Sequence, residues 1–205
     1  MSDWLLALHS STETLGIALV AAEAPIGEAR VICRSLGRAL TNELVISLQQ
    51  LLPADQWADI RRLAVATGPG GFTGTRLTVV LARTLAQQLG TPLHGVSSFA
   101  LMAPRLHQQL PELQRDQPFS IVQTLPRRGQ VAGRYRIVKA EVEELESPRL
   151  LSERDQPAPA VEMAVDVPAD VRQLLRYCRE CHDRDLPGPW DPVLPIYPTS
   201  PVGPV

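Results

Sequence analysis

Gly68-Pro69-Gly70-Gly71-Phe72-Thr73-Gly74-Thr75-Arg76 is the densest motif of the chain. Four of its residues are glycines that can take backbone angles closed to other residues, and Pro69 fixes its own φ. Upstream, Leu63 to Ala66 reads as a buried strand. Downstream, apolar residues at helical spacing run to about Leu89, where Gly90 and Pro92 close the helix. A glycine loop at a helix start presents free N–H groups and the positive end of the helix dipole, which suits a phosphate. The loop fits neither G-x-x-x-x-G-K-[ST] nor G-x-G-x-x-G, and no lysine follows it, so a tight strand-to-helix turn is the competing reading.

Working outward, Trp4 to Leu8, Gly16 to Val20 and Arg30 to Arg34 read as three short strands separated by turns. Thr41 or Asn42 then caps a first helix with Leu44, Val45, Leu48, Leu51 and Leu52 at helical spacing, stopped by Pro53. After the glycine-opened helix, Leu93 to Val96 is a fifth strand, and Ser97 or Ser98 caps a helix that reaches about Met102 and halts before Pro104. Three antiparallel strands, helix, strand, helix, strand suit a mixed five-stranded α/β sheet with right-handed crossovers. The expected division is 1–103 as a first subdomain, 104–186 as a reduced and divergent second one, and 187–205 as a proline-rich extended tail. In the second part, Ser120 to Thr124 and Val131 to Val142 read as strands split by Pro126 to Gly129, and Ala169 to Asp183 as a helix. Prolines 189, 192, 195, 198, 201 and 204 recur every third residue, matching one face of a polyproline II helix. Such a tail either docks into an aromatic groove or lies along its own domain.

With 205 residues and 44% hydrophobic content the chain can build a core, which excludes disorder throughout. Its 20 basic and 22 acidic residues show no global basic excess for nucleic acid. Arg127, Arg128, Arg134 and Arg136 form a local basic hairpin, offset by Glu141, Glu143, Glu144 and Glu146, that either touches nucleic-acid phosphates or is paired internally. No stretch of about 20 apolar residues suits a membrane span, and the start lacks a basic region before its apolar run, so a cytoplasmic protein is expected. The three cysteines do not make a disulfide framework. Cys178-x-x-Cys181-His182 matches a haem-attachment pattern formally, with zinc as another candidate, but chance placement on a helix is the simpler account.

The glycine motif resembles the GPGSFTGxR segment of the TsaB (YeaZ) family, departing from it at Gly71. Leu5 to Glu13 resembles the family's LAIDTATE strand and turn, and Gly95 to Ala103 its GVSxLxxMA. The resemblance covers about residues 4–103 and thins beyond Pro104 to Arg128-Gly-Gln-Val131 and Pro195-Ile-Tyr197. It implies an actin-like, RNase H-like (ASKHA) fold of two subdomains. It also implies a role in making N6-threonylcarbamoyladenosine at position 37 of tRNAs reading ANN codons. In that role the chain would be a non-catalytic partner of the transferase TsaD and the ATPase TsaE, meeting tRNA only through the complex.

Relatives that do the chemistry carry H-x-x-x-H where this chain has Ser98 and Met102, and ATPases of the fold carry acids where it has His9 and Gln123-Thr124. No catalytic residue, metal or cofactor is therefore expected. His9 reads as a hydrogen-bonded buried histidine. The alternative is an ATPase or small-molecule kinase of the same fold that uses Gly68 to Gly74 as a phosphate cradle. Gly74, Thr78, Ala82 and Ala86 recur every four residues as a column of small side chains, which lets a helix approach closely, either within the chain or from another subunit. The expected subunit interface, to TsaD or to a second copy, comprises Gly68, Pro69, Gly70, Phe72, Thr73, Gly74, Arg76, Thr78, Ala82 and Ala86, with Leu44 and Leu48 of the first helix.

Overall fold

In β1 (Trp4–His9) every residue after Trp4 is buried. Period-two alternation sends Leu6 and Leu8 to one face and Leu5 and Ala7 to the other, and both faces are covered. The computed structural model, which describes residues 3–198, places this strand at the centre of a five-stranded sheet. β2 (Thr14–Ala21) pairs antiparallel with β1 and β3 (Arg30–Ser35) antiparallel with β2. β4 (Ile60–Ala66) lies parallel on the other side of β1, with β5 (Leu93–Val96) parallel beyond it.

One face packs on α1 (Leu40–Leu51) and α2 (Phe72–Leu89), whose Leu44, Leu48, Val79, Ala82 and Ala86 join Leu6, Leu8, Ile17 and Leu63 in one core. The other packs on α4 (Val167–Asp183), started by an Asp166 side chain that accepts from the Ala169 amide. Register explains the close fit on that face. Ala7 is paired with Ala18 on one side and Ala64 on the other, a row of small side chains across three strands beneath Val171, Leu174 and Leu175. Gly16 continues the gap, since a Cβ there would lie 2.8 Å from Val167 Cγ1.

α3 (Ser98–His107) is capped by Ser97, which accepts from the Ala100 amide. Its Leu101 belongs to the core under α4, while Phe99, Met102, Ala103 and Leu106 pack on a second sheet. That sheet holds β6 (Phe119–Leu125), β7 (Gly129–Val138), β8 (Glu141–Leu150) and β9 (Ala160–Glu162) in the order β8-β7-β6-β9.

Several expectations need correcting. α1 begins at Leu40 after a 3-10 turn at Gly37–Ala39, because burial of Leu40 draws the start inward past both polar cap candidates. α3 runs through Pro104, whose ring removes one amide but whose φ suits a helix, while buried Leu106 holds the last turn. The single strand expected over Val131 to Val142 is a hairpin, turning at Lys139 and Ala140 with φ of 50° and 69°. α3 crosses the boundary expected at residue 103, and α4, expected in the second part, covers the first sheet. Among the described residues the tail lies along its own domain, while Pro201 and Pro204 fall outside them.

Ala82 has no exposed surface and touches the chain's own core. Ala82→Arg is therefore expected to cost about 3–5 kcal/mol through an unpaired buried charge. The expected readout is a sharply lowered melting temperature or loss of soluble protein, and an unchanged melting temperature would contradict this packing.

Candidate docking face and cleft

The glycine loop is stitched to the end of β1. The Gly71 amide donates to the Ser11 carbonyl at 2.8 Å, and the Ser98 amide to the Gly68 carbonyl at 2.7 Å. A Cβ on Gly70 would sit 2.0 Å from the Ser11 carbonyl oxygen, and one on Gly74 would sit 2.4 Å from that of Ser10. Close main-chain approach thus requires glycine at both positions. Ser10 Oγ donates to the Gly74 carbonyl at 2.7 Å and lies 2.8 Å from Thr78 Oγ1, so two hydroxyls secure the first turns of α2. The geometry is that of a packed strand-to-helix turn.

The residues expected at a subunit interface separate into two sets. Thr78, Ala82, Ala86, Leu44 and Leu48 are buried within the chain, which corrects their assignment to a contact surface, because the small column faces the sheet. Gly68 and Pro69 are also buried, and Gly74 is half-buried. Gly70, Phe72, Thr73 and Arg76 are exposed. α1 and α2 also expose apolar residues that sequence reasoning did not assign to a site: Val45 (41% exposed), Ile46 (45%) and Val80 (53%), with Phe72 itself at 40%. Ile46 and Val80 fall outside the core phase of their helices, and that mismatch was the available signal. Phe72, Arg76 and Val80 form a stripe at four-residue spacing, with the Arg76 guanidinium 6.0 Å from the Phe72 ring centre. Among the described residues neither Arg38 nor Arg76 has a carboxylate within 4.0 Å.

Next to this face a cleft of about 510 Å³ runs between the glycine loop and the second sheet. Ser11, Gly70 and Gly71 form one wall, and Gln123, Arg128 and Met163 the other. His9 is fully buried, and neither ring nitrogen has a hydrogen-bond partner among the described residues, so it departs from the hydrogen-bonded histidine expected. Burial lowers its pKa to about 4 and keeps it neutral near pH 7. Ser98 Oγ donates to Ser11 Oγ at 2.7 Å, and Met102 is buried. Cys178 and Cys181 are both buried on α4, and the surrounding core pushes the Cys178 thiol up to about 12. Among the described residues no group of three or more His, Cys, Asp or Glu side chains is placed to hold a metal. In the basic hairpin, Arg136 pairs with Glu143 at 3.5 Å and Arg134 lies opposite Glu146. No helix of the described residues is long and apolar enough to cross a membrane.

A mixed sheet of this order, helices on both faces and a second sheet across a cleft define an α/β protein of the actin-like, RNase H-like class. Residues 31–162 match the family described as TsaD, tRNA N6-adenosine threonylcarbamoyltransferase, and with more than half of its length matched the chain belongs to that family. Over 100 residues the chain is 37% identical to the tRNA threonylcarbamoyladenosine biosynthesis protein TsaB of Bacillus subtilis (strain 168). That match spans 48% of this chain and 43% of the relative, so it reaches less than half of the relative's length. YeaZ from Pseudomonas aeruginosa superposes with a TM-score of 0.66 at 21% identity, covering 95% of this chain and 99% of the other. A Pseudomonas aeruginosa protein described as similar to the peptidase YeaZ superposes with a TM-score of 0.71 at 20% identity, covering 96% and 100%. At such identities the likeness concerns the fold.

The buried histidine makes the fold sensitive to acid. With its pKa lowered from 6.5 to about 4, His9 refuses in the folded state a proton that the unfolded chain accepts, so stability falls as pH drops from 6.5 towards 4. His94 acts in the same direction over the same window. Asp170, raised by burial from 3.8 to about 6, opposes them by taking its proton earlier in the folded state. Glu180, also raised by burial, acts with Asp170, so the contribution of His9 is isolated by removing it. His9→Leu should flatten the dependence by about 1.4 kcal/mol per pH unit within that window. Denaturant melts between pH 7 and 4.5 check this, and parallel curves for the two proteins would contradict it.

Proposed function

We propose that this protein is the TsaB-type, non-catalytic subunit of the cytoplasmic assembly that forms N6-threonylcarbamoyladenosine at position 37 of tRNAs reading ANN codons. It pairs with a TsaD-type catalytic subunit, works with the ATPase TsaE, and meets tRNA through the complex. The observation that carries this reading is apolar surface left exposed on two helices whose inner faces are already buried: the stripe Phe72, Arg76 and Val80 on α2, and Val45 and Ile46 on α1. Phe72 and Arg76 of the expected interface are retained, and the buried column is replaced by Val45, Ile46 and Val80. The non-catalytic part rests on the strand ends, where His9 is buried and neutral and Gln123 presents an amide to the cleft. Phosphoryl transfer needs groups there that hold metal or neutralise charge.

Purified protein supplied with threonylcarbamoyl-adenylate and metal is expected to leave tRNA unmodified, with modification appearing when the TsaD and TsaE homologues are added. Modification by this chain alone would sink the proposal. Val80→Arg is expected to preserve folding, because the residue is exposed, and to weaken pairing with TsaD by roughly 30- to 1000-fold, equivalent to about 2–4 kcal/mol. Calorimetry reads this directly, and undiminished pairing would remove the face from the assembly.

A further inference from the structure

Between β9 and α4 the chain crosses residues 163–166 without secondary structure, and two of them, Met163 and Val165, line the cleft. The segments on either side are anchored without this link. β9 is paired with β6, and α4 buries Val171, Leu174, Leu175 and Cys178 against the first sheet. The link itself has few ties. Its Met163 amide donates to the Val122 carbonyl at 2.7 Å, while Ala164, Val165 and Asp166 are all exposed. Its middle is held by Arg105 of α3, whose guanidinium reaches across it. Nη2 donates both to the Ala164 carbonyl and to Asp170 Oδ1 (3.1 Å), and Nε donates to the same Oδ1 at 3.2 Å. Asp170 Oδ2 accepts from the Asp166 amide at 3.4 Å, where the link enters the helix.

The Asp170 carboxylate is the fixed end of this arrangement. Its side chain has no exposed surface, whereas that of Arg105 is 26% exposed. The charged groups around it are few. Asp166 turns its own carboxylate to the Ala169 amide (3.0 Å), Glu162 of β9 accepts from the Thr124 amide (3.3 Å), and His107 of α3 meets the Arg115 carbonyl (2.8 Å). From the first sheet, β1, β2 and β4 present Leu5, Ala7, Ala18 and Ala64 to α4, and β3 brings Cys33, whose thiol feels the charges of Arg172 and Asp166. Arg62 of β4 acts on Cys178 and Cys181, at the opposite end of the helix.

We infer that Arg105 and Asp170 form a releasable clamp on the wall of the cleft: the ionised carboxylate holds Arg105 across residues 163–166, and a proton on Asp170 lets Met163 and Val165 move out and the cleft widen. A hydrogen bond between charged partners is roughly twice as strong as one between neutral groups. Protonated Asp170 keeps an acceptor oxygen but has no charge to hold the guanidinium, which turns to the water it already meets, and Ala164 loses its donor with it. Burial raises Asp170 from 3.8 to about 6, so release accompanies acidification through that range. His9 and His94, both lowered to about 4, take their protons below it. The inference concerns the cleft and stands apart from the proposed function.

Hydrogen exchange of the full chain at pH 7.5 and 5, corrected for the intrinsic pH dependence of exchange, tests this for the wild type, Asp170→Asn and Arg105→Lys. In the wild type, protection of the Met163 and Asp166 amides is expected to fall about tenfold from the higher pH to the lower, with β1 unchanged. Asp170→Asn, which keeps the size of the carboxyl without its charge, should show low protection at both values. Arg105→Lys keeps the charge but lacks the planar fork, and should already lose protection at pH 7.5. Equal protection at both pH values in the wild type overturns the inference, as does a fall that persists in Asp170→Asn, which would belong to another group. A fall shared by β1 overturns it too, because the pair would then hold the cores and not the wall. If Asp170→Asn does not fold, Arg105→Lys decides, and full protection of that variant at pH 7.5 overturns the clamp.

Discussion

Everything around the cleft depends on main chain lying against main chain at one junction, where Gly70 and Gly74 meet the carbonyls of Ser11 and Ser10. No side chain fits between them. The approach aims α2 back across β1 and lets Ser10 reach both the Gly74 carbonyl and Thr78. It also sets which side of α2 is buried. Once Thr78 touches Ser10, helical geometry carries Ala82 and Ala86 onto the sheet and leaves Arg76 and Val80 outside. The exposed stripe on α2, proposed above as a docking face, is in this sense a consequence of the glycine loop.

The same packing takes one amide of the loop out of any phosphate cradle. A phosphate cradle needs amides left unsatisfied and aimed outward. Here the Gly71 amide is bound to Ser11, and the adjoining cleft offers Gln123 and Arg128 on its far wall. Apolar surface is also left exposed on this side of the molecule, where Phe72, Val80, Leu194 and Tyr197 are large side chains in water.

The five-stranded sheet was legible because its signals are local. Apolar runs, a glycine loop at a helix start and a glycine stop each reflect the physics of a few neighbouring residues. The small-residue column was legible too, yet its partner was not. Spacing says that something packs closely, and only the register of Ala18, Ala7 and Ala64 beneath α4, or of Ser10 beside Gly74, says what. The missed hairpin at Lys139-Ala140 had no Asn-Gly or Asp-Gly to announce its left-handed turn. β9, three residues long and paired with β6 across forty positions of sequence, left no periodicity to read. The outward stripe was hidden for another reason. Exposed Ile46 and Val80 look like imperfections in an amphipathic pattern until burial shows that the inner faces are already complete.

Helix α4 explains why the two halves hold a fixed relation without a continuous core. It returns from the second sheet to cover the first, and α3 lies between the two cores with Leu101 in one and Phe99 in the other. The joint is closed by Arg105 of α3, which donates to the fully buried Asp170 carboxylate at 3.1 Å and also to the Ala164 carbonyl. Burial outweighs the favourable charge and raises the Asp170 pKa, so the pair sits close to the balance between desolvation and attraction. A pair in that balance contributes little net stability. It does set geometry, because breaking it would leave a buried carboxylate with fewer donors. For a protein proposed to act by presenting a surface, orientation matters more than stability at this joint. The halves are held by this directional contact together with the apolar packing of α3 between the two cores.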